Sequence, residues 1–215
     1  MKNSMELWLA AVREMTLTSE LAASYLEDRL KFRNKVARVL TEGLKDQHVL
    51  YGVWLENHDV PIYIGQTQQA PRRLWDLPIG ESHHLSNSFP PEIWSRVIVI
   101  YWMKFLQSSE LRALMKVLGT NGADPLEAMG LGLEYLLQKK YSPMFNMRKK
   151  KRDGTLRPIN WEKSRSLGAR TSPHLTKVFP QILDAWEQLS TIAPYECQGH
   201  PISEYGRAVF PASLL

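Results

Sequence analysis

The sequence predicts an α+β fold, in which a small three-stranded mixed or antiparallel sheet is flanked by helices and carries helical extensions at both ends. Three observations predict it. Short β-rich segments lie between His48 and Trp102, helical patterns lie on both sides of them, and 44% of the 215 residues are hydrophobic. A chain of this length and hydrophobic content can bury a substantial core, so we expect one domain with appendages.

The first part of the chain predicts one helix and three strands. From Thr18 to about Gly43, apolar residues recur at helical spacing among charged residues, which predicts a long amphipathic helix. The segments HVLYGVWL and VPIYIGQT are β-rich and are joined by the polar stretch ENHD, so they predict a hairpin. The segment RVIVIYW, residues 96–102, predicts the third strand.

Further helices are predicted after the third strand. The segments SSELRALMKVLG and DPLEAMGLGLEYLLQKK have helical patterns, and the second begins with Asp124 as N-cap and Pro125 at the first helical position. A last helix is predicted from Pro180. The patterns divide the chain into an N-terminal helical extension (1–46), a core (47–148), and a basic linker with a C-terminal extension (149–215).

Composition restricts the possible environment. The formal net charge of +5 is compatible with a polyanionic partner, but it is weak support for one. The single cysteine, Cys197, excludes an intramolecular disulfide and a zinc site built from cysteines, and it favours a reducing compartment. The first residues, MKNSMELWLAAVREM, are interrupted by charge and predict neither a signal peptide nor a membrane span. We therefore expect a cytoplasmic protein without a membrane partner.

Five sequence elements occur in an order that resembles the GIY-YIG nuclease family. The elements are GVW (52–54) for the first motif, YIG (63–65) for the second, Arg73, Glu134 and Asn146. The resemblance extends over residues 48–148, where EYLLQKKYSPMFN is similar to the repair-excinuclease branch of the family. It implies an endonuclease that hydrolyses DNA phosphodiester bonds, most readily in double-stranded DNA, with Mg²⁺ or Mn²⁺ as cofactor and Glu134 as metal ligand.

The same residue types suit phosphodiester hydrolysis in their own right. A hairpin delivers Tyr63 to a sheet face, a turn at Gly65 lets the chain reverse, and Arg73 on the next helix can point back over that face. A guanidinium group can hold phosphate oxygens and stabilise developing charge. A single carboxylate such as Glu134, with several waters, can hold Mg²⁺. The phenol of Tyr63 would serve as general base.

Each of these residues also has a purely structural interpretation. Tyr63 could be a core aromatic, and Glu134 could be a solvated residue beside an apolar helix stripe. Asn146 is either a turn former or a residue that orients a catalytic group. Arg72 is either a surface residue or a non-specific phosphate contact.

The first motif departs from the family because it ends in Trp54 rather than tyrosine. An indole can donate a hydrogen bond but cannot act as a base. Tyr51, three positions earlier, is expected to leave the strand by the opposite face and not to replace it. Tyr63 must then act as the base or a histidine must assist. His83 and His84 are the candidates, and in the structural interpretation they are exposed imidazoles in a polar loop.

A basic run follows the last motif residue. It consists of Arg148, Lys149, Lys150, Lys151 and Arg152. Its position predicts salt-dependent, sequence-independent phosphate contacts, whereas a charge run elsewhere is more often a solvated linker. The two extensions enlarge the core in the way expected of a stand-alone, site-specific endonuclease of the type II restriction kind.

Three functions follow from these patterns. The first is a Mg²⁺-dependent DNA endonuclease with Tyr63, Arg73, Glu134 and Asn146 in its active site, assisted by His84. The second is a catalytically silent nucleic-acid-binding module, for which the missing tyrosine at Trp54 is the sign. The third is a helical interaction protein in which the resemblance is accidental and Arg73 and Glu134 never meet.

Overall fold

The structure is a computed structural model that describes residues 19–80, 85–119, 124–146, 160–193 and 200–215, together with residues 6, 8 and 10–12. The strands are β1 (Val49–Leu55), β2 (Tyr63–Thr67), β3 (Trp94–Ile100) and β4 (Gly206–Val209). The α-helices are α1 (Ser19–Thr41), α2 (Ala70–Ile79), α3 (Leu85–Ser88), α4 (Ser108–Leu118), α5 (Pro125–Tyr141), α6 (Leu167–Thr171) and α7 (Phe179–Thr191). The fold is α+β, as predicted.

The sheet has four antiparallel strands in the order β2-β1-β3-β4, so the prediction of three strands in a mixed or antiparallel sheet was wrong in the strand count. The predicted hairpin is confirmed, with Tyr51 opposite Gly65. The additional strand comes from the C-terminal extension, where Val209 pairs with Val97. Because β4 has only four residues, its own pattern is too short to predict a strand.

Alternation along the strands separates two cores, one on each face of the sheet. One face carries Trp54 and Ile64 and packs against α5 and α7. The other face carries Tyr51 and packs against α1 and α2. Both faces are covered by helices, which explains why nearly every residue of β1 is buried.

The helix boundaries follow the signals in the sequence. Helix α1 buries Phe32, Val36 and Leu40, and the chain leaves it with Gly43 at a φ of 65°. Helix α5 begins as predicted, because the side chain of Asp124 accepts a hydrogen bond of 3.2 Å from the amide of Leu126. In the described part of the chain, no helix has both the length and the apolar character that crossing a membrane requires.

The two extensions pack against the sheet and against each other. Arg207 on β4 is only 4% exposed. Its Nε donates a 2.7 Å hydrogen bond to the hydroxyl of Tyr101, and its Nη1 donates to the carbonyl oxygens of Val39 and Leu40 in the last turn of α1. The carbonyl end of a helix is partially negative and stabilises this buried cation. Residues from both predicted extensions therefore complete one packed unit with the core.

Replacing Gly52 by Ala is expected to destabilise the protein, because an added Cβ would lie 2.6 Å from Cη2 of Trp186. Trp186 is fully buried, so its ring has no room to retreat. We expect a loss of about 1–3 kcal/mol in the free energy of unfolding, measured by urea denaturation. Gly119→Ala is the matched control, because its Cβ would approach no described residue closer than 3.6 Å. Equal stabilities of the two variants would contradict the close packing at Gly52.

Candidate active site

The two tyrosines of the hairpin meet above a glycine. A Cβ at Gly65 would lie 2.7 Å from the hydroxyl oxygen of Tyr51 and 2.9 Å from the ring of Tyr63. The two ring centroids are 5.9 Å apart. Gly65 lies within β2, so the expectation that it forms a chain-reversing turn was wrong. Its role is to leave the space in which the two phenol rings lie.

Helix α2 places Arg73 over these phenols. Leu74 and Leu77 of this helix are fully buried and Arg72 is exposed. The side chain of Arg73 is partly exposed. The Nε of Arg73 donates a 3.1 Å hydrogen bond to the hydroxyl of Tyr51. The prediction that Arg73 points back over the hairpin is therefore confirmed.

Tyr51 places a buried hydroxyl beside Arg73. It does leave β1 by the face opposite to Trp54, as predicted, but that face is the one that carries Tyr63 and Arg73. Trp54 packs on the other side against Trp186, with ring centroids 5.4 Å apart. The prediction that Tyr51 and Trp54 leave β1 by opposite faces is confirmed, and the face of Tyr51 is the one on which Arg73 lies.

Glu134 approaches the same group from α5, on the opposite side of the edge strand β2. Its Oε1 accepts a 2.7 Å hydrogen bond from Nε2 of Gln138, and the same Nε2 donates to the carbonyl oxygen of Ile64 at 3.1 Å. Burial raises the pKa of Tyr63, and the charge of Glu134 adds to this effect. Arg73 and Glu134 thus both interact with Tyr63.

Asn146 secures the edge of β2. Its side-chain amide donates to the carbonyl oxygen of Ile64 and accepts from the amide of Ile64, both at 2.7 Å. It occupies the hydrogen-bonding positions that a further strand would use. Asn146 is therefore more than a turn former, because it fixes the residue next to Tyr63 on β2.

Gln138 is a site residue that the sequence analysis missed. It lies four positions after Glu134 on the same helix, and residues at that spacing face the same side. This spacing was the available signal. Gln138 orients the carboxylate of Glu134 and holds it against the backbone of Ile64.

Burial and charge keep both phenols protonated at neutral pH. Burial raises the pKa of Tyr51 well above its usual range. Burial also raises the pKa of Tyr63, and the negative charge of Glu134 adds to this effect, while the hydrogen bond from Tyr51 and the charge of Arg73 oppose it. Burial lowers the pKa of Arg73, but the two phenol oxygens outweigh it and raise that pKa overall. Arg73 therefore stays positively charged.

A divalent cation at this site would have Glu134 as its carboxylate ligand. Among the described residues, no group of three or more histidine, cysteine, aspartate or glutamate side chains could hold a metal ion. A single carboxylate could hold Mg²⁺ or Mn²⁺, since Mg²⁺ keeps several waters and needs only one or two carboxylates.

A groove with a volume of about 1100 Å³ begins beside Arg73. Residues of α1, α2 and the segment that joins β2 to α2 line it, together with Glu127 from α5. Arg72 lines the groove as well, and so do the carboxylates of Asp76 and Glu127, so the groove carries side chains of both charges. Arg73 belongs both to the candidate active site and to the lining of the groove.

Some predicted residues lie outside the described part of the chain. These are His83 and His84, and the basic run Arg148, Lys149, Lys150, Lys151 and Arg152. Their assistance to catalysis and their phosphate contacts stay predictions.

In comparisons with known proteins, no family model, curated protein or solved structure matches the chain.

Proposed function

We propose that this protein is a Mg²⁺-dependent DNA endonuclease that hydrolyses phosphodiester bonds in the manner of the GIY-YIG family, which its motifs resemble. The observation that carries the proposal is the convergence of three side chains at the edge of β2. Tyr63 interacts with both Arg73 and Glu134, although these residues come from three separate elements. A phenol, a guanidinium group and a carboxylate are the groups that this hydrolysis needs.

Arg73 binds the scissile phosphate in this proposal. The hydrogen bond from its Nε to Tyr51 fixes the plane of the guanidinium group before the substrate arrives. A fixed guanidinium group can donate two parallel hydrogen bonds to phosphate oxygens and stabilises the charge that develops there. Tyr51 is a positioning residue, because it is fully buried and acts through Arg73.

Tyr63 is the proposed general base for the attacking water. It is partly exposed, unlike Tyr51, so it is the phenol that solvent can reach. The charge of Arg73 and the hydrogen bond from Tyr51 favour its deprotonated form, and the charge of Glu134 opposes it. When bound at Glu134, Mg²⁺ or Mn²⁺ supplies positive charge that offsets the carboxylate and stabilises the leaving oxygen.

Additional cations provide the affinity for DNA. Arg72 is exposed on the groove wall, and the basic run 148–152 begins two positions after Asn146. Such groups bind backbone phosphates without reading sequence, and their affinity falls as salt increases. We propose an active enzyme rather than a silent binding module, because Tyr63 interacts with both Arg73 and Glu134 although the first motif ends in Trp54.

Incubation of supercoiled plasmid with the purified protein tests the proposed function. We expect nicked and linear products with Mg²⁺ or Mn²⁺ and none when a chelator is added. Discrete linear fragments would indicate a site-specific enzyme of the restriction kind, and a smear would indicate cleavage without site preference. Intact plasmid at every metal concentration, from protein that is folded and binds DNA, would overturn the proposal in favour of the binding module.

Tyr63→Phe is expected to lower the single-turnover cleavage rate by roughly 10²–10⁴, the scale for losing a general base. The pKa of Tyr63 is raised, so the deprotonated fraction of the parent grows about tenfold per pH unit between roughly pH 6 and 9. The logarithm of the parental rate should therefore rise with pH, and Tyr63→Phe should abolish this slope.

Tyr51→Phe serves as the matched control for the tyrosine assignment. It removes the hydrogen bond between Tyr51 and Arg73 and the one between Tyr51 and Tyr63, but it leaves the hydroxyl of Tyr63 in place. We expect a rate loss of roughly tenfold or less, with the pH slope retained. If Tyr63→Phe kept both the rate and the slope, Tyr63 would not be the base.

A further inference from the structure

The groove beside the candidate active site carries side-chain amides in addition to its arginines. Asn34 extends from α1, and Gln68 and Gln69 belong to the segment between β2 and α2. All three side chains are at least partly exposed. Within the described part of the chain, they form no side-chain hydrogen bond. They are therefore donors and acceptors that face a groove without serving the fold.

The backbone that carries the Gln69 side chain is held in a fixed position. The backbone amide of Gln69 donates a 3.1 Å hydrogen bond to the hydroxyl oxygen of Thr67. The carbonyl oxygen of Gln69 accepts a 3.0 Å hydrogen bond from the amide of Arg73, at the start of α2. Gln69 thus lies one helical turn before Arg73, about 6 Å along the helix axis.

This spacing indicates which base pairs Gln69 could reach when Arg73 binds a backbone phosphate. Successive base pairs in duplex DNA are about 3.4 Å apart, so about 6 Å corresponds to one or two base pairs. Glutamine and asparagine amides match adenine in the major groove, because the amide NH₂ donates to N7 and the amide oxygen accepts from N6. Arginine, by contrast, positions the backbone and carries no base information in that role.

We propose that Asn34, Gln68 and Gln69 read base edges of double-stranded DNA within about two base pairs of the bond that is cleaved. This inference rests on the proposed nuclease function and assigns it a specificity determinant. The bases would then be contacted where α1 of the N-terminal extension, which provides Asn34, lies beside the end of the hairpin that provides Tyr63.

The test uses a pool of duplexes in which the positions around a single cleavage window are randomised. The parent protein, Gln68→Ala, Gln69→Ala and the double variant Gln68→Ala/Gln69→Ala are incubated with the pool and Mg²⁺, and the cleaved ends are sequenced. The readout is the ratio of cleavage at the most and least favoured base pairs, as a function of distance from the cut. Gln181→Ala is the control, because Gln181 is exposed on α7 and does not line this groove.

We expect the parent to show a preference at base pairs within about two of the cut, and the double variant to reduce that preference roughly tenfold or more. Gln181→Ala should keep the parental preference. The unfolding temperature of each variant is measured to check that it is folded. Gln69→Ala by itself changes only an exposed side chain, so we expect it to fold like the parent.

Three outcomes would overturn the inference, and they are distinguishable from failure of the nuclease proposal. Cleavage by the parent without any base preference would show that no bases are read. A preference that the glutamine variants leave unchanged, or one that lies only at more distant base pairs, would place the reading elsewhere. In each of these cases the nuclease function stands. Absence of any cleaved ends would overturn both proposals together.

Discussion

Replacing Glu134 by Gln is expected to lower cleavage in Mg²⁺ by a factor on the order of 10²–10³ or more, the scale for losing one charge interaction in the transition state. The substitution keeps the size of the side chain and removes the negative charge that would hold the cation. DNA binding in the presence of a chelator should be unchanged or somewhat tighter, because a negative charge near the DNA backbone is removed. Loss of cleavage together with retained DNA binding would indicate that Glu134 acts in a metal-dependent step.

Glu127→Gln is the matched control for this prediction. Glu127 lies on the same helix, α5, and lines the groove, so the substitution changes the local charge by the same amount. We expect its cleavage rate to stay close to the parental rate. If Glu134→Gln cleaved normally, Glu127 on α5 and Glu110 on α4 would become the candidate metal ligands. A collapsed thermal transition in Glu134→Gln would assign the residue a structural role with Gln138.

Arg73→Ala is expected to lower the cleavage rate by a factor on the order of 10²–10³, the scale for losing one preorganised transition-state donor. The guanidinium group is held by Tyr51 and is partly buried, so solvent cannot replace it at the phosphate. Single-turnover rates at saturating protein measure this loss separately from binding. Arg73→Ala also leaves the buried hydroxyl of Tyr51 without its donor, so unfolding must be measured in parallel.

Arg72→Ala provides the contrast, because the two arginines are adjacent in sequence but differ in environment. Arg72 is exposed on the groove wall. Its loss should weaken DNA binding and reduce the slope of log affinity against log salt by roughly 0.9 for one phosphate contact. The cleavage rate at saturation should change little. Small and equal effects from both substitutions would contradict the assignment of Arg73 to the scissile phosphate.

Local pattern was sufficient to predict the elements that carry the site. Helix α5 begins at an Asp-Pro pair that caps and starts a helix by its own chemistry. The hairpin follows from two β-rich segments around a short polar turn. The inward direction of Arg73 follows from the amphipathic pattern of α2, in which Leu74 and Leu77 fix the buried side.

The features that sequence could not supply depend on contacts between distant segments. Strand β4 exists as a strand because β3, more than 100 positions earlier, offers a free edge. Alternation along β1 showed that Tyr51 and Trp54 leave by opposite faces, but it could not show which face receives Arg73. That choice is made by α1, α2, α5 and α7, which pack on the two sides of the sheet.

The role of Asn146 was undecided for a similar reason. A residue after SPMF has the composition of a turn, and only the folded chain brings its amide to the backbone of Ile64. The groove with its amides is assembled from α1, the β2–α2 segment and α5, so no single stretch of sequence contains its pattern.

Single-turnover cleavage by the double variant Arg73→Ala/Glu134→Gln shows whether Tyr63, Arg73 and Glu134 form one phosphodiester-cleaving site. Parent, Glu134→Gln and double variant are purified identically and compared at saturating protein in Mg²⁺, with DNA binding measured in a chelator. We predict that the parent cleaves, and that the double variant binds DNA but cleaves no faster than Glu134→Gln alone, since both residues act on the same phosphate. Cleavage by the double variant at the parental rate would contradict the account.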